Sequence, residues 1–247
     1  MTYTEIHVWG DSLARGIVYN QEKGRYAISP ERWTTRLETT VGCKVFNHSN
    51  MGATVLDGLS SFQKFVPVPS ALCAIEFGGN DCDLNWAEVA AHPLSVVKAK
   101  VPLDTYITKL TEFVLKVQDS GMQPLLITPL PLHSQRYFDW VTKDINKENV
   151  LTALGDVNGI YRWQERYAIA MRNVACTLKC RLLDLRDLFL AQPNYEKLMC
   201  IDGIHPNNDG HRLISTTVAR GVAPCTLTRG QSPLDPDMSA LCADRVG

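Results

Sequence analysis

One pattern organises the 247-residue chain: short apolar runs separated by longer stretches of helical period. Residues 71–77 read Ala-Leu-Cys-Ala-Ile-Glu-Phe, apolar throughout except for Glu76, as expected of a strand covered on both faces. Residues 5–9, 43–46, 124–128 and 181–185 supply four more short runs. Between them, residues 30–41 start at Pro30 and stop before Gly42, the punctuation of a helix. Residues 102–118 place Leu103, Tyr106, Ile107, Leu110, Phe113, Val114 and Val117 on one stripe. Residues 160–178 and 207–218 read as two more amphipathic helices. Strand and helix alternating without an internal repeat predict an α/β fold, a parallel sheet of about five strands covered by helices on both faces.

Bulk properties narrow the function classes. With 25 basic and 26 acidic residues the net charge is −1, so no field favours nucleic acid or an anionic membrane. No apolar run has the length of a membrane span. The amino-terminal residues lack a basic region followed by an apolar stretch, which reads as a cytoplasmic chain. Eight cysteines contain no Cys-x-x-Cys pair, and free, mostly buried thiols are the expectation. Cys176 and Cys180 share a helix face, but no histidine lies near them in sequence. Neither a metal nor a cofactor is expected.

The chemistry sits at four strand ends. Val8-Trp9-Gly10-Asp11-Ser12-Leu13 puts a serine just past the first strand, where open α/β sheets build their sites. Taken alone, Ser12 reads as a helix N-cap, because serine is a favoured cap. Asp202-Gly203-Ile204-His205-Pro206, ahead of the last helix, changes that reading. A serine is a weak nucleophile until an imidazole accepts its proton and a carboxylate holds the imidazole's tautomer. The spacing of Asp202 and His205 lets one turn bring carboxylate to ring. Two further turns offer donors for an oxyanion. Asn50-Met51-Gly52-Ala53 presents a backbone N–H where glycine admits close approach, and Gly78-Gly79-Asn80-Asp81 presents the Asn80 carboxamide.

Together these segments resemble the four sequence blocks of the SGNH (GDSL-type) hydrolase superfamily. Gly-Asp-Ser-Leu stands at residues 10–13, a lone glycine at Gly52, Gly-x-Asn-Asp at 78–81 and Asp-x-x-His at 202–205, in the family's order. The resemblance spans residues 5 to about 220. It implies a three-layer α/β/α sandwich, flavodoxin-like, and a serine hydrolase acting on esters. It also implies the roles. Ser12 is the nucleophile, His205 the base and Asp202 its orienting acid, while the N–H groups of Ser12 and Gly52 and the Asn80 side chain form the oxyanion hole. The α/β-hydrolase alternative wants Gly-x-Ser-x-Gly, and Ala14 occupies the last position.

The surroundings are read more coarsely. Residues 1–221 form the expected single hydrolase domain. Within it residues 131–160 are a long connection at the catalytic edge, rich in aromatics, with a site cover as its expected role. The tail, 222–247, is left with three readings: packed on the domain, at a homo-oligomer interface, or hanging free. Asp83, Trp86, Tyr137 and Trp140 are the expected substrate contacts. His7, in mid-strand, reads as a satisfied core histidine, and Arg15 meets either an anionic substrate or solvent. The expected partner is a small-molecule ester, with short acyl esters and O-acetylated sugars ahead of lysophospholipids and acyl thioesters. A non-catalytic binding domain would be expected to lack a triad residue, and all three are present.

Overall fold

The apolar runs become a five-stranded parallel sheet in the computed structural model, which describes residue 3 and residues 5–222. The chain enters through β1 (Ile6–Gly10), makes the one-turn helix α1 (Ser12–Arg15), then the antiparallel hairpin of β2 (Ile17–Asn20) and β3 (Arg25–Ile28). Helix α2 (Trp33–Val41), strand β4 (Val45–Asn47) and helix α3 (Val55–Phe62) precede strand β5 (Leu72–Glu76). Next come α4 (Trp86–Ala91), α5 (Leu103–Asp119) and β6 (Gln123–Ile127). Helices α6 (Ser134–Val141), α7 (Lys147–Leu154) and α8 (Gly159–Thr177) lead to β7 (Arg181–Leu183). Helix α9 (Leu185–Leu190), a 3₁₀ turn at Tyr195–Leu198 and α10 (Asn208–Val222) complete the described residues.

The strand order is β4-β1-β5-β6-β7. Successive side chains of a strand point to opposite faces, and both faces here are apolar. Leu72 and Ala74 join Ile6, Val8, Leu125 and Ile127 against Trp33 and Leu37 of α2 and Ile214 and Val218 of α10. Cys73 and Ile75 join Trp9 and Leu126 against Leu59 of α3, Phe113 of α5 and Met171 of α8. The result is a three-layer α/β/α sandwich. Each fully buried side chain of this kind contributes about 1.5–3 kcal/mol of transfer free energy. From β1 the chain crosses first to β4 on one side and later to β5 on the other. The carboxyl ends of β1 and β5 therefore flank the topological switch point, the crevice where such sheets bind ligands.

Several expectations need correction. The β2–β3 hairpin was not anticipated, because its turn at residues 21–24 is longer than the two-residue signature and its strands are short. Ile107, expected on the buried stripe of α5, is 37% exposed. The run 181–185 is strand only to Leu183, since the Asp184 side chain accepts the Asp187 N–H and caps α9. The connection 131–160 is mostly helical, as α6 and α7. Among the described cysteines, Cys73, Cys82, Cys180 and Cys200 are free thiols, whereas Cys176 is disulfide-bonded. His7 is buried and satisfied, its ring nitrogens 2.9 Å from His48 Nε2 and 2.7 Å from Glu5 Oε1. No helix among the described residues is long and apolar enough to cross a membrane, and no group of three metal-ligating side chains occurs among them. Of the expected tail, residues 223–247 lie outside the described residues.

Candidate active site

Strand β1 ends in a tight turn over β5. A Cβ on Gly10 would meet Ala14 Cβ and Glu76 O at 2.7 Å, so only glycine lets the chain turn this closely. The N-cap of α1 is Asp11, whose Oδ1 accepts the Leu13 N–H at 2.8 Å. Ser12 is thus the first helical residue and not the cap, which leaves its hydroxyl available. His205 Nε2 lies 2.9 Å from Ser12 Oγ.

The segment from Asp202 to His205 reaches the same place from the far end of the chain. Asp202 is fully buried, with Oδ2 2.7 Å from His205 Nδ1. Its Oδ1 accepts the N–H groups of Ile204 and His205, each at 3.1 Å. Burial alone would raise this carboxyl; the bond and charge of His205 with the two backbone donors outweigh it and hold Asp202 below the ordinary aspartate value. Gly203 makes the turn with φ +75, and a Cβ there would strike the Tyr137 N–H nitrogen at 2.8 Å and His133 O at 2.9 Å. The turn is pinned to the start of α6 by the His133 N–H, which donates to Gly203 O at 2.8 Å.

Two loops flank the serine. Gly52 lies in the β4–α3 connection, joined to the end of β1 by the Asn50 N–H, which donates to Gly10 O at 3.2 Å. Nothing lies within 4 Å of a Cβ added at Gly52, so its φ of +80, not crowding, is what selects glycine. Asn80 follows β5 and donates from Nδ2 to Asp11 Oδ2 at 3.0 Å. The adjacent Asp81 ties the two loops together by accepting the Val55 and Gly78 N–H groups, both at 2.9 Å. Burial pushes its carboxyl up to about 7 against the lowering effect of those bonds. Burial likewise raises Asp11 and, well above the usual range, Glu76, which lies beside it.

Ser12, Asn80 and His205 line a pocket whose walls also include Leu84, Leu130, Leu132, Leu154, Ile160 and Trp163. Its interior is about 70 Å³, on a measure by which one water needs ~10–15 Å³. Of the expected substrate contacts, Asp83, Trp86 and Tyr137 line this pocket. The Asp83 carboxylate is already engaged, accepting Tyr137 Oη at 2.8 Å, Trp86 Nε1 at 3.0 Å and Lys100 Nζ at 2.7 Å. It therefore fixes two aromatic walls. Trp140 is not among the lining residues. It packs against Tyr19 and Tyr26 of the hairpin at ring distances of 4.8 and 6.3 Å.

The hairpin brings a residue that sequence reading missed. The Tyr26 ring lies 5.0 Å from the His205 ring, and its hydroxyl feels the charge of the Asp202 carboxylate. Burial, then the Asp202 charge, raises the Tyr26 hydroxyl well above its usual value. The available signal was faint: Gly24, with φ +57, between two short β-prone runs carrying Tyr19 and Tyr26. Geometrically, the chain Ser12–His205–Asp202, with Tyr26 beside it, can move a proton off a hydroxyl and stabilise the resulting imidazolium.

The fold has counterparts among solved structures. The lipase/acylhydrolase from Enterococcus faecalis superposes with a TM-score of 0.63 at 18% identity, covering 88% of this chain and 95% of that one. A GDSL-like lipase from Bacteroides thetaiotaomicron gives 0.59 at 14% identity, covering 88% and 87%. A catalytic mutant of an acetylxylan esterase from Geobacillus stearothermophilus gives 0.58 at 17% identity, covering 89% and 94%. These likenesses establish the architecture. Among curated proteins no sequence matches. The family model for the GDSL-like lipase/acylhydrolase family, however, matches residues 8–213, a span that includes Ser12, Asn80 and His205. The chain therefore belongs to the GDSL-like lipase/acylhydrolase family, the SGNH hydrolases.

Proposed function

We propose that this protein is a serine esterase that hydrolyses short acyl esters through an acyl-enzyme. The observation that carries the reading is the continuous contact from Ser12 Oγ through His205 to buried Asp202, at 2.9 and 2.7 Å, with Ser12 and His205 lining a largely apolar pocket. In this mechanism Ser12 Oγ attacks the ester carbonyl while His205 takes its proton, and Asp202 stabilises the imidazolium. The oxyanion is held by the N–H groups of Ser12 and Gly52 and by Asn80 Nδ2. His205 then protonates the leaving alkoxide, and a water molecule, deprotonated by the same histidine, releases the acid.

The leucine-rich pocket suits the acyl group, and its small interior favours acetyl and short chains over those of lysophospholipids or fatty-acyl thioesters. Asp83, Trp86 and Tyr137 belong to its wall, and residues 131–160, as α6 and α7, act as its cover. An O-acetylated carbohydrate is the preferred natural substrate class; the structural likeness to an acetylxylan esterase supports it at the level of architecture. Replacing Ser12 with alanine is expected to abolish both p-nitrophenyl acetate hydrolysis and covalent labelling by a fluorophosphonate. Labelling absent from the wild-type protein would favour a non-catalytic binding domain. Across acetyl, butyryl and octanoyl esters, kcat/KM is expected to fall steeply at octanoyl; a maximum there would overturn the short-acyl reading.

A further inference from the structure

Asp11 and Glu76 are buried carboxyls that line the pocket, yet the proton relay uses neither. Asp11 sits between two of the three oxyanion donors. Its Oδ1 accepts the Leu13 N–H at 2.8 Å, fixing the turn that carries the Ser12 N–H, and its Oδ2 accepts Asn80 Nδ2 at 3.0 Å. The loop bearing Asn80 is pressed onto this carboxylate: a Cβ on Gly79 would lie 3.0 Å from Asp11 Oδ2. A carboxylate only accepts hydrogen bonds, so the Asn80 amide must turn its NH₂ toward Asp11. One N–H is then spent on Asp11 and the other is left for an oxyanion. With the opposite amide orientation, a carbonyl oxygen would face Asp11 and the donor would be lost.

We propose that Asp11 is a positioning residue that sets the direction of the Asn80 amide and, through the Leu13 N–H, the backbone of the nucleophile turn. The inference rests on the esterase reading above. Glu76 supports the arrangement from behind. Its Oε2 lies 3.4 Å from the Asp11 N–H nitrogen, and burial beside a second carboxyl favours its neutral form. Glu76 thus braces the backbone of the turn that carries Asp11.

The test is a double-mutant cycle on p-nitrophenyl acetate hydrolysis, using D11N, D11S, N80A and the two combinations with N80A, with active sites counted by fluorophosphonate labelling. Serine at position 11 retains a good N-cap but cannot also reach Asn80, so D11S separates capping from amide orientation. D11N and D11S are each expected to lower kcat on the order of tenfold or more, with KM within about twofold of wild type. In the N80A background the same changes should cost less than about threefold, because the amide they orient is gone. A wild-type kcat in both variants, or an equal loss with and without Asn80, overturns the inference. If one variant fails to fold, the other supplies the cycle. Wild-type protein inert toward esters would overturn the esterase reading and this inference together; ester turnover that S12A abolishes and D11S leaves unchanged overturns the inference alone.

Discussion

At the scale of single residues, the site is a set of hydrogen bonds whose donors and acceptors leave little choice of role. Asn80 contributes a donor and no charge. N80A is expected to lower kcat by about a hundredfold while leaving KM nearly unchanged, the signature of an interaction made in the transition state; a rise in KM alone would place Asn80 in ground-state binding instead. Tyr26 lies beside the Asp202–His205 pair. A hydroxyl set against a charged carboxylate contributes roughly 1.5 kcal/mol or more, so Y26F should lower kcat/KM about tenfold without loss of fold. Unchanged steady-state kinetics in Y26F would show that the hydroxyl is idle. Ser12, Gly52, Asn80, Asp202 and His205 stood out in the chain because each lies in a short, spaced motif; the part played by Asp11 did not. Nor did Tyr26, because its role depends on a hairpin whose pairing no local pattern specified.

At the scale of elements, function depends on how turns are held. The Asp202–His205 turn leans on α6 through Gly203, where both the positive φ and the contact with backbone of residues 133 and 137 exclude a side chain. Gly203→Ala is expected to destabilise the fold by about 2 kcal/mol or more, lowering Tm by roughly 4–8 °C for a chain of this size, with ester turnover falling in parallel. A variant with wild-type Tm would mean that α6 yields at little cost. Helices α6 and α7 lie in the stretch 131–160 that reads in the sequence as a connection, and α4 packs with them. Each spans only six to eight residues, too short to be stable alone, and they persist by mutual packing of side chains such as Leu84, Val89, Phe138 and Val150.

At the scale of the molecule, buried acids set the dependence of stability on pH. Asp81 is pushed up to about 7, and Asp11 and Glu76 are raised as well, all by burial. A raised folded value means that the folded protein binds the proton more tightly than the unfolded chain. The stabilisation is therefore complete below about pH 4 for Asp81 and is lost as pH rises through about 7. Asp202 and Asp184 are lowered, so their contributions are lost only under stronger acid. Between pH 4 and pH 7.5 the free energy of unfolding should decline, and D81N should flatten that slope. Chemical denaturation across this range checks it, and a slope unchanged in D81N would remove Asp81 as its source.

The class of fold is written in the chain, because strand-length apolar runs alternating with 3.6-period stretches bury both faces of a sheet in essentially one way. The four motif segments are likewise written in the chain, since their residue types and order are local facts. How they meet is a matter of packing. The strand order β4-β1-β5-β6-β7 brings the ends of β1 and β5 together, and a turn almost two hundred residues from Ser12 closes to 2.9 Å. Packing also decided which neighbours matter. Asp11 replaced Ser12 as the cap, Trp140 left the pocket for the hairpin, and Tyr26 came to Asp202. Such assignments depend on contacts between residues distant in sequence, which are set by packing and not by local period.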